Sequence, residues 1–172
     1  LPDDGHRHEA IAGELYVTPA PSYRHQRASQ KLDHELLRLP EAPGHGLVVH
    51  APVGVEFPTT HEGVQPDIVF VSSARAHLIS DEAIRGAPDL VVEILSPTTA
   101  HRDRGVKRKL YERQGVLEYW IVDMETEAVE VWSFGERPSE APALQRYTDT
   151  LPVRLGTEWI GEIDLAGVFA AD

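Results

Sequence analysis

Apolar positions along this chain repeat with two periods, and the switching between them outlines the elements. Between Ser22 and Leu39, Ala28, Leu32, Leu36 and Leu39 recur at helical spacing, which predicts a helix with one packed face and the Ser22 hydroxyl as its N-cap. The segment 40–46, PEAPGHG, breaks it. Elsewhere short β-forming runs dominate. EAIAGELYVTP at 9–19 predicts a strand or hairpin, LVVHAPVGVEF at 47–57 two short strands or one bent at Pro52 and Gly54, and QPDIVFVS a strand after Pro66. APDLVVEILSP at 87–97 is apolar enough for a strand buried on both faces. A helix is predicted from about Asp103 to Gln114, closed by Gly115, with Val106, Lys107, Leu110, Tyr111 and Gln114 on one broad face. EYWIVD and TEAVEVWSF predict a hairpin turned at 124–126, the segment 144–154 an edge strand, and IDLAGVF a short terminal helix. Strands, then helices, then more strands predict an α/β fold with a mixed sheet.

Against this pattern, three polar residues stand where apolar ones belong. Glu93 lies among Val91, Val92, Ile94 and Leu95, and a buried carboxylate must be paired, protonated or bound to a metal. Asp67 begins the apolar run Ile68–Val71 on a strand that can pair beside that of Glu93. Asp89 shares a strand with Glu93, but four residues place the two about 13 Å apart, too far for one ion, so Asp89 reads as a strand-entrance residue. Lys107 falls in the middle of the inward helical stripe, whereas Arg104, Arg108 and Lys109 point away from it. Two acids and a lysine around one point suit phosphodiester hydrolysis. The acids, Asp67 and Glu93, would hold Mg²⁺ or Mn²⁺, and Lys107 would orient the attacking water or stabilise the transition state.

Composition narrows the picture. The 172 residues are 41% hydrophobic, enough to bury a core, and without cysteine the chain has no disulfide, zinc-thiolate or thiol chemistry. No apolar run approaches a membrane span and no signal peptide is visible, so a cytoplasmic protein is expected. Charge pulls the other way from nucleic acid, with 28 acidic residues against 16 lysines and arginines and a net charge of −12. The segment 102–113 offsets this locally: Arg102, Arg104 and Arg108 are candidate nucleic-acid contacts there, beside Lys107, Lys109 and Arg113. An exposed, solvated helix face is the alternative for that patch.

GEL at 13–15, PAPSYRHQ at 19–26, QPDIVFVS at 65–72, APDLVVEILSP at 87–97, DRGVKRKLY at 103–111 and GVLEYWIVD at 115–123 together resemble the Uma-two family of restriction endonucleases, within the PD-(D/E)xK nuclease superfamily. The resemblance runs in order over nearly the whole chain. It implies a single domain over 1–172, a restriction-endonuclease-like core whose mixed β-sheet is flanked by helices, with an N-terminal β extension. Within it, 1–60 would form the N-terminal β and helix part, 61–135 the catalytic core, and 136–172 an edge strand and short helix. By position, Asp67 and Glu93 match the superfamily's metal carboxylates. Leu95 stands where the usual lysine would be, and Lys107 on the next helix takes its place, with Tyr111 one turn on. Glu14 resembles the superfamily's early acid and His25 matches the family's Pro-Ser-x-x-His segment; both are carried as supporting residues. A homodimer acting on DNA is implied as well.

Structural roles compete with each assignment. Asp67 can cap a strand start, Glu93 can pair with Lys107 or Arg102 without metal, and Lys107 can snorkel to water. Glu14 can be a turn residue and His25 a helix-surface histidine; Ser96 and Asp123 read as turn residues. For the whole chain, the alternatives to a DNA endonuclease are a non-catalytic nuclease-fold binding or regulatory module, and a nuclease for RNA or another phosphodiester, which suits the acidic surface better.

Overall fold

A computed structural model describes residues 6–41, 44–135, 141–155 and 158–170. The first described elements are a hairpin of β1 (Arg7–Ile11) and β2 (Glu14–Thr18), turned at Ala12 and Gly13 with φ of 52° and 81°, the left-handed geometry that a two-residue hairpin loop needs. Helix α1 (Tyr23–Leu36) starts where the Ser22 hydroxyl accepts from the His25 N–H at 3.3 Å, then widens into a π-helical turn at Leu37–Glu41. Five strands follow, β3 (Gly46–His50), β4 (Val55–Phe57), β5 (Glu62–Val64), β6 (Ile68–Ser72) and, after a 3₁₀ segment, β7 (Ile84–Arg85). After β8 (Leu90–Ile94) the chain runs through α2 (Ala100–Arg102), a π turn at Asp103–Lys107 and α3 (Arg108–Gln114). Gly115 closes α3 at φ 85°, a conformation costly for residues with a Cβ. The last elements are β9 (Glu118–Asp123), β10 (Ala128–Ser133), β11 (Ala143–Tyr147), β12 (Thr150–Leu155), β13 (Glu158–Asp164) and α4 (Leu165–Phe169).

A six-stranded sheet, in the order β11-β10-β9-β8-β6-β3, forms the centre. Only β8 and β9 pair in parallel, so the sheet is mixed. Side chains alternate across it. Ile68 and Phe70 of β6 and Leu90, Val92 and Ile94 of β8 point to one face, where they pack with α1, α4 and the β12–β13 hairpin. Val69, Val71 and Val91 point to the other, against α3 and the second sheet, β2-β1-β5-β4-β7. The N-terminal hairpin joins that second sheet through the pairing of Ala10 with Gly63, so strands from both ends of the chain's first half cover the same face. Among the described residues no helix is long and apolar enough to cross a membrane.

Several boundaries differ from the periodicity. The helical path expected from Asp103 starts at Ala100, because the hydroxyls of Ser96, Thr98 and Thr99 bond one another and turn the chain early. The first helix ends at Leu36 rather than Leu39, with the π turn beyond it; of the break at 40–46, residues 42 and 43 lie outside the described residues. The single strand at 144–154 is two: β11 extends the central sheet, while the chain bends at 148–149 so that β12 pairs with β13 instead. Strand β13 escaped the pattern because only Ile163 of its seven residues is buried. Residues 136–140, where the C-terminal part was expected to begin, lie outside the described residues.

Candidate active site

Ile68 pairs with Val92, so the next position on each strand sets Asp67 opposite Glu93 at the end of the β6–β8 ladder. By the alternation of the sheet both carboxyls project to the face covered by α3 and the second sheet, and both are buried, at 1% and 3% exposure. Lys107 meets Glu93 from the π turn: its Nζ donates to Glu93 Oε1 at 2.9 Å and lies 2.8 Å from Glu9 Oε1 and 3.6 Å from Asp103 Oδ1. One turn on, the Tyr111 hydroxyl donates to the same Glu93 oxygen at 2.8 Å. The side chain of Lys107 is 5% exposed, so it does not snorkel to water.

Asp67 is held from three sides. The Ile94 N–H donates to Oδ2 at 2.7 Å, Arg7 NH1 stands 2.6 Å from Oδ1, and His25 Nε2 is 3.2 Å from Oδ2 and 2.9 Å from the Ile94 carbonyl oxygen. A carbonyl only accepts, so Nε2 carries the ring hydrogen. That leaves His25 Nδ1 buried without a hydrogen-bond partner, while Asp67 Oδ1 faces the Arg7 guanidinium as an ion pair. A pocket of about 140 Å³ opens onto these groups and is lined by Asp67, Glu93, Glu9, Lys107, His25 and the Ser96–Thr99 loop, among others.

One ammonium faces three carboxyls, and that imbalance sets the protonation. Burial opposes the charge on Lys107, but Glu93, Glu9 and Asp103 outweigh it and keep the amine protonated. Burial pushes the Glu93 carboxyl up to about 8, against the pull of Lys107 and with help from Asp103, Asp67 and Glu9; Asp103 is raised for the same first reason. Burial also opposes ionisation of Asp67, yet the His25 hydrogen bond, the Arg7 charge and the Ile94 N–H hold its carboxyl below the usual range. Tyr111 and Tyr119 stay neutral donors, their hydroxyls raised by burial. Among the described residues no three His, Asp or Glu side chains are arranged as a cation cage. The site in this form is balanced by Arg7 and Lys107.

Of the residues singled out by the sequence, Asp67, Glu93, Lys107, Tyr111 and His25 come together. Glu14 does not: it is exposed beside the hairpin turn and accepts from the Tyr16 hydroxyl at 2.7 Å. The early acid at the site is Glu9, 2% exposed, which also accepts from the Gln65 N–H at 3.1 Å. The signal for it was available. Arg7, Glu9 and Ile11 alternate on one strand, and Ile11 is fully buried, so Glu9 shares its inward face. Asp103 was readable too, four residues before Lys107 on the same helical stripe. Among the three arginines, Arg102 donates to Thr18 Oγ1 at 2.7 Å, stacks over Tyr16 and lines the pocket. Arg104 is committed to Asp123 at 2.8 Å and Glu130 at 2.7 Å, and Arg108 to Glu112 at 2.8 Å while lying over Trp132. Asp89 accepts from the Ser72 N–H, and Asp123 from the N–H groups of Glu125 and Thr126, as entrance and turn residues do.

Comparison with known proteins adds two findings. The family model Uma2, described as "Putative restriction endonuclease", matches residues 1–166. The fold is similar to the crystal structure of a "putative nuclease belonging to DUF820" from Anabaena variabilis ATCC 29413, with a TM-score of 0.76 and 19% sequence identity over 98% of this chain and 93% of that one. A search among curated proteins returns no significant match.

Proposed function

The chain belongs to the Uma2 family, and from that premise we propose that it is a metal-dependent endonuclease hydrolysing DNA phosphodiester bonds. The observation that carries this reading is the cross-strand pair Asp67 and Glu93, side by side on one sheet face at a pocket, with Lys107 brought to Glu93 by the following helix. The donor set suits Mg²⁺ or Mn²⁺, which take hard oxygens and one or two protein carboxylates. Asp67 Oδ1 is buried with the Arg7 guanidinium 2.6 Å away, so such an ion would take the place of that charge at Asp67, with Glu93 as the second ligand. When bound, the ion would lower the pKa of a water and neutralise charge on the phosphate.

The chain's own residues supply the rest. Lys107 keeps its proton, so it acts as a donor and a fixed positive charge toward the phosphate rather than as a base. Glu9 and Tyr111 hold it and Glu93 in place, and His25 and Ile94 orient Asp67. Arg102, at the pocket rim, is the arginine placed to meet a phosphate. A homodimer and a cytoplasmic place of action belong to the same reading. The self-balanced ion cluster favours a second one, a non-catalytic module that keeps the fold for binding.

The test is cleavage of supercoiled, linear and single-stranded DNA and of RNA by purified protein with Mg²⁺ or Mn²⁺, beside Asp67→Ala, Glu93→Ala and Lys107→Ala. Cutting of DNA that needs the cation and is lost in all three variants is the expected result. Four equally folded proteins that cut nothing would transfer the assignment to the binding module.

A further inference from the structure

Beside the 140 Å³ pocket lies a much larger groove of about 830 Å³, and the two share Arg7, Ala20, Pro21, His25 and Asp67. The small pocket has room for a reacting group and little else, so the bulk of any polymer held there must lie outside it. The groove is the adjoining space, and anything lying in it runs directly to Asp67.

Its walls differ in charge from the rest of the molecule. The chain as a whole carries −12, yet the groove has only two acids, and each faces a basic partner: Asp67 meets Arg7 at 2.6 Å, and Asp33 lies 3.6 Å from His50 Nδ1. One wall is a stripe of α1. Gln26, Ser29, Gln30 and Asp33 recur three and four residues apart, about a quarter-turn from the buried stripe of Ala28, Leu32 and Leu36. His50, beside Asp33, and Gln65 complete the polar lining. Glutamine, serine and histidine side chains both donate and accept, which matches the phosphate oxygens and base edges of a nucleic acid, and an amide can pair bidentately with adenine. Two of the three arginines expected to steer a phosphate backbone are by contrast spent: Arg104 and Arg108 are tied to acids, and only Arg102 keeps to the small pocket.

We propose that this groove binds the DNA strand flanking the scissile phosphate, with the Gln26–Gln30 side of α1 and His50 as its contacts. The inference rests on the nuclease reading and adds where the substrate lies.

Gln26 on α1 and His50 at the end of β3 are both exposed in the groove and belong to none of the ion pairs around Asp67 and Glu93, so charge can be added there without disturbing the site. Two double variants, Gln26→Glu with His50→Glu and Gln26→Arg with His50→Arg, would be compared with the wild-type chain by fluorescence anisotropy of short labelled duplex DNA, single-stranded DNA and RNA. EDTA would prevent cutting. The glutamate pair should weaken DNA binding about tenfold or more, and the arginine pair should tighten it and steepen the logarithmic salt dependence by up to about two. Equal affinities and slopes for all three proteins, beside a wild-type chain that cuts, would overturn the groove alone. A preference for RNA that responds to both pairs would keep the groove and overturn DNA as its ligand. A wild-type chain that neither binds nor cuts any probe overturns the groove and the nuclease reading together.

Discussion

The two faces of the central sheet are built from the same strands, and they bury opposite kinds of chemistry. On the α1 side, Ile68, Phe70, Val92 and Ile94 meet Leu32, Leu36, Trp120 and Val122 with no charge among them. One residue out of phase, Val69 and Val91 begin an equally apolar layer that ends in Asp67, Glu93, Lys107, Glu9 and Asp103. The difference shows how a sheet can carry a site without losing its core. The period of two confines the charges to one side, and the end of the β6–β8 ladder confines them to one place. The apolar face supplies rigidity that does not depend on pH, while the charged face holds its groups in a form set by their mutual balance.

The largest break in this contrast should come from Lys107→Met, which leaves Glu9, Glu93 and Asp103 without their shared cation. A loss of about 3–5 kcal/mol is expected in urea unfolding at pH 9, and a smaller one at pH 5. The sign follows from the raised carboxyls. Glu93 and Asp103 have folded pKa values above their unfolded ones, so their contribution is intact at low pH and is lost as pH rises, that of Glu93 through about 8. An equal loss at both pH values would mean that charge is not the cause.

Cation binding should follow the same proton. An ion at Asp67 and Glu93 must displace the proton on Glu93, so Mn²⁺ affinity measured by calorimetry should climb about tenfold per pH unit from pH 6 and level off near 8. A flat profile would remove Glu93 from the ligands. Tyr111→Phe comes next, removing the 2.8 Å hydrogen bond to Glu93 and costing about 2 kcal/mol in thermal or urea unfolding. It should also move the levelling-off point to higher pH. The smallest effect belongs to the apolar face, where Ile68→Val should cost about 1 kcal/mol, equally at pH 5 and pH 9. A pH-dependent loss there would erase the distinction between the faces.

The same contrast explains what was readable beforehand. Asp67, Glu93 and Lys107 each broke an apolar pattern, and a broken pattern is visible in one dimension. The helix at 23–36 and the strands around 68–72, 90–94, 118–123 and 128–133 had clean periods, and their existence and type followed. Glu9 and Glu14 share the segment 9–19; alternation along β1 puts Glu9 on the side of Ile11, and the pairing of β1 with β5 turns that side inward. Local density of positive charge suggested a phosphate-binding helix, but it says nothing of the partners brought from far along the chain. Arg104 finds Glu130 and Asp123, 26 and 19 residues away.

By itself, the sequence determined which residues could not be ordinary core or ordinary surface, since burial of a charge is costly wherever it occurs and leaves its mark on hydrophobic spacing. Tertiary structure alone decided which of those charges meet. Cross-strand register set Asp67 opposite Glu93, a π turn carried Lys107 and Asp103 inward, and sheet pairing selected Glu9 over Glu14. Those contacts join segments that lie up to 98 residues apart, from Glu9 to Lys107, and Coulomb energy depends on distance in space rather than on separation along the chain.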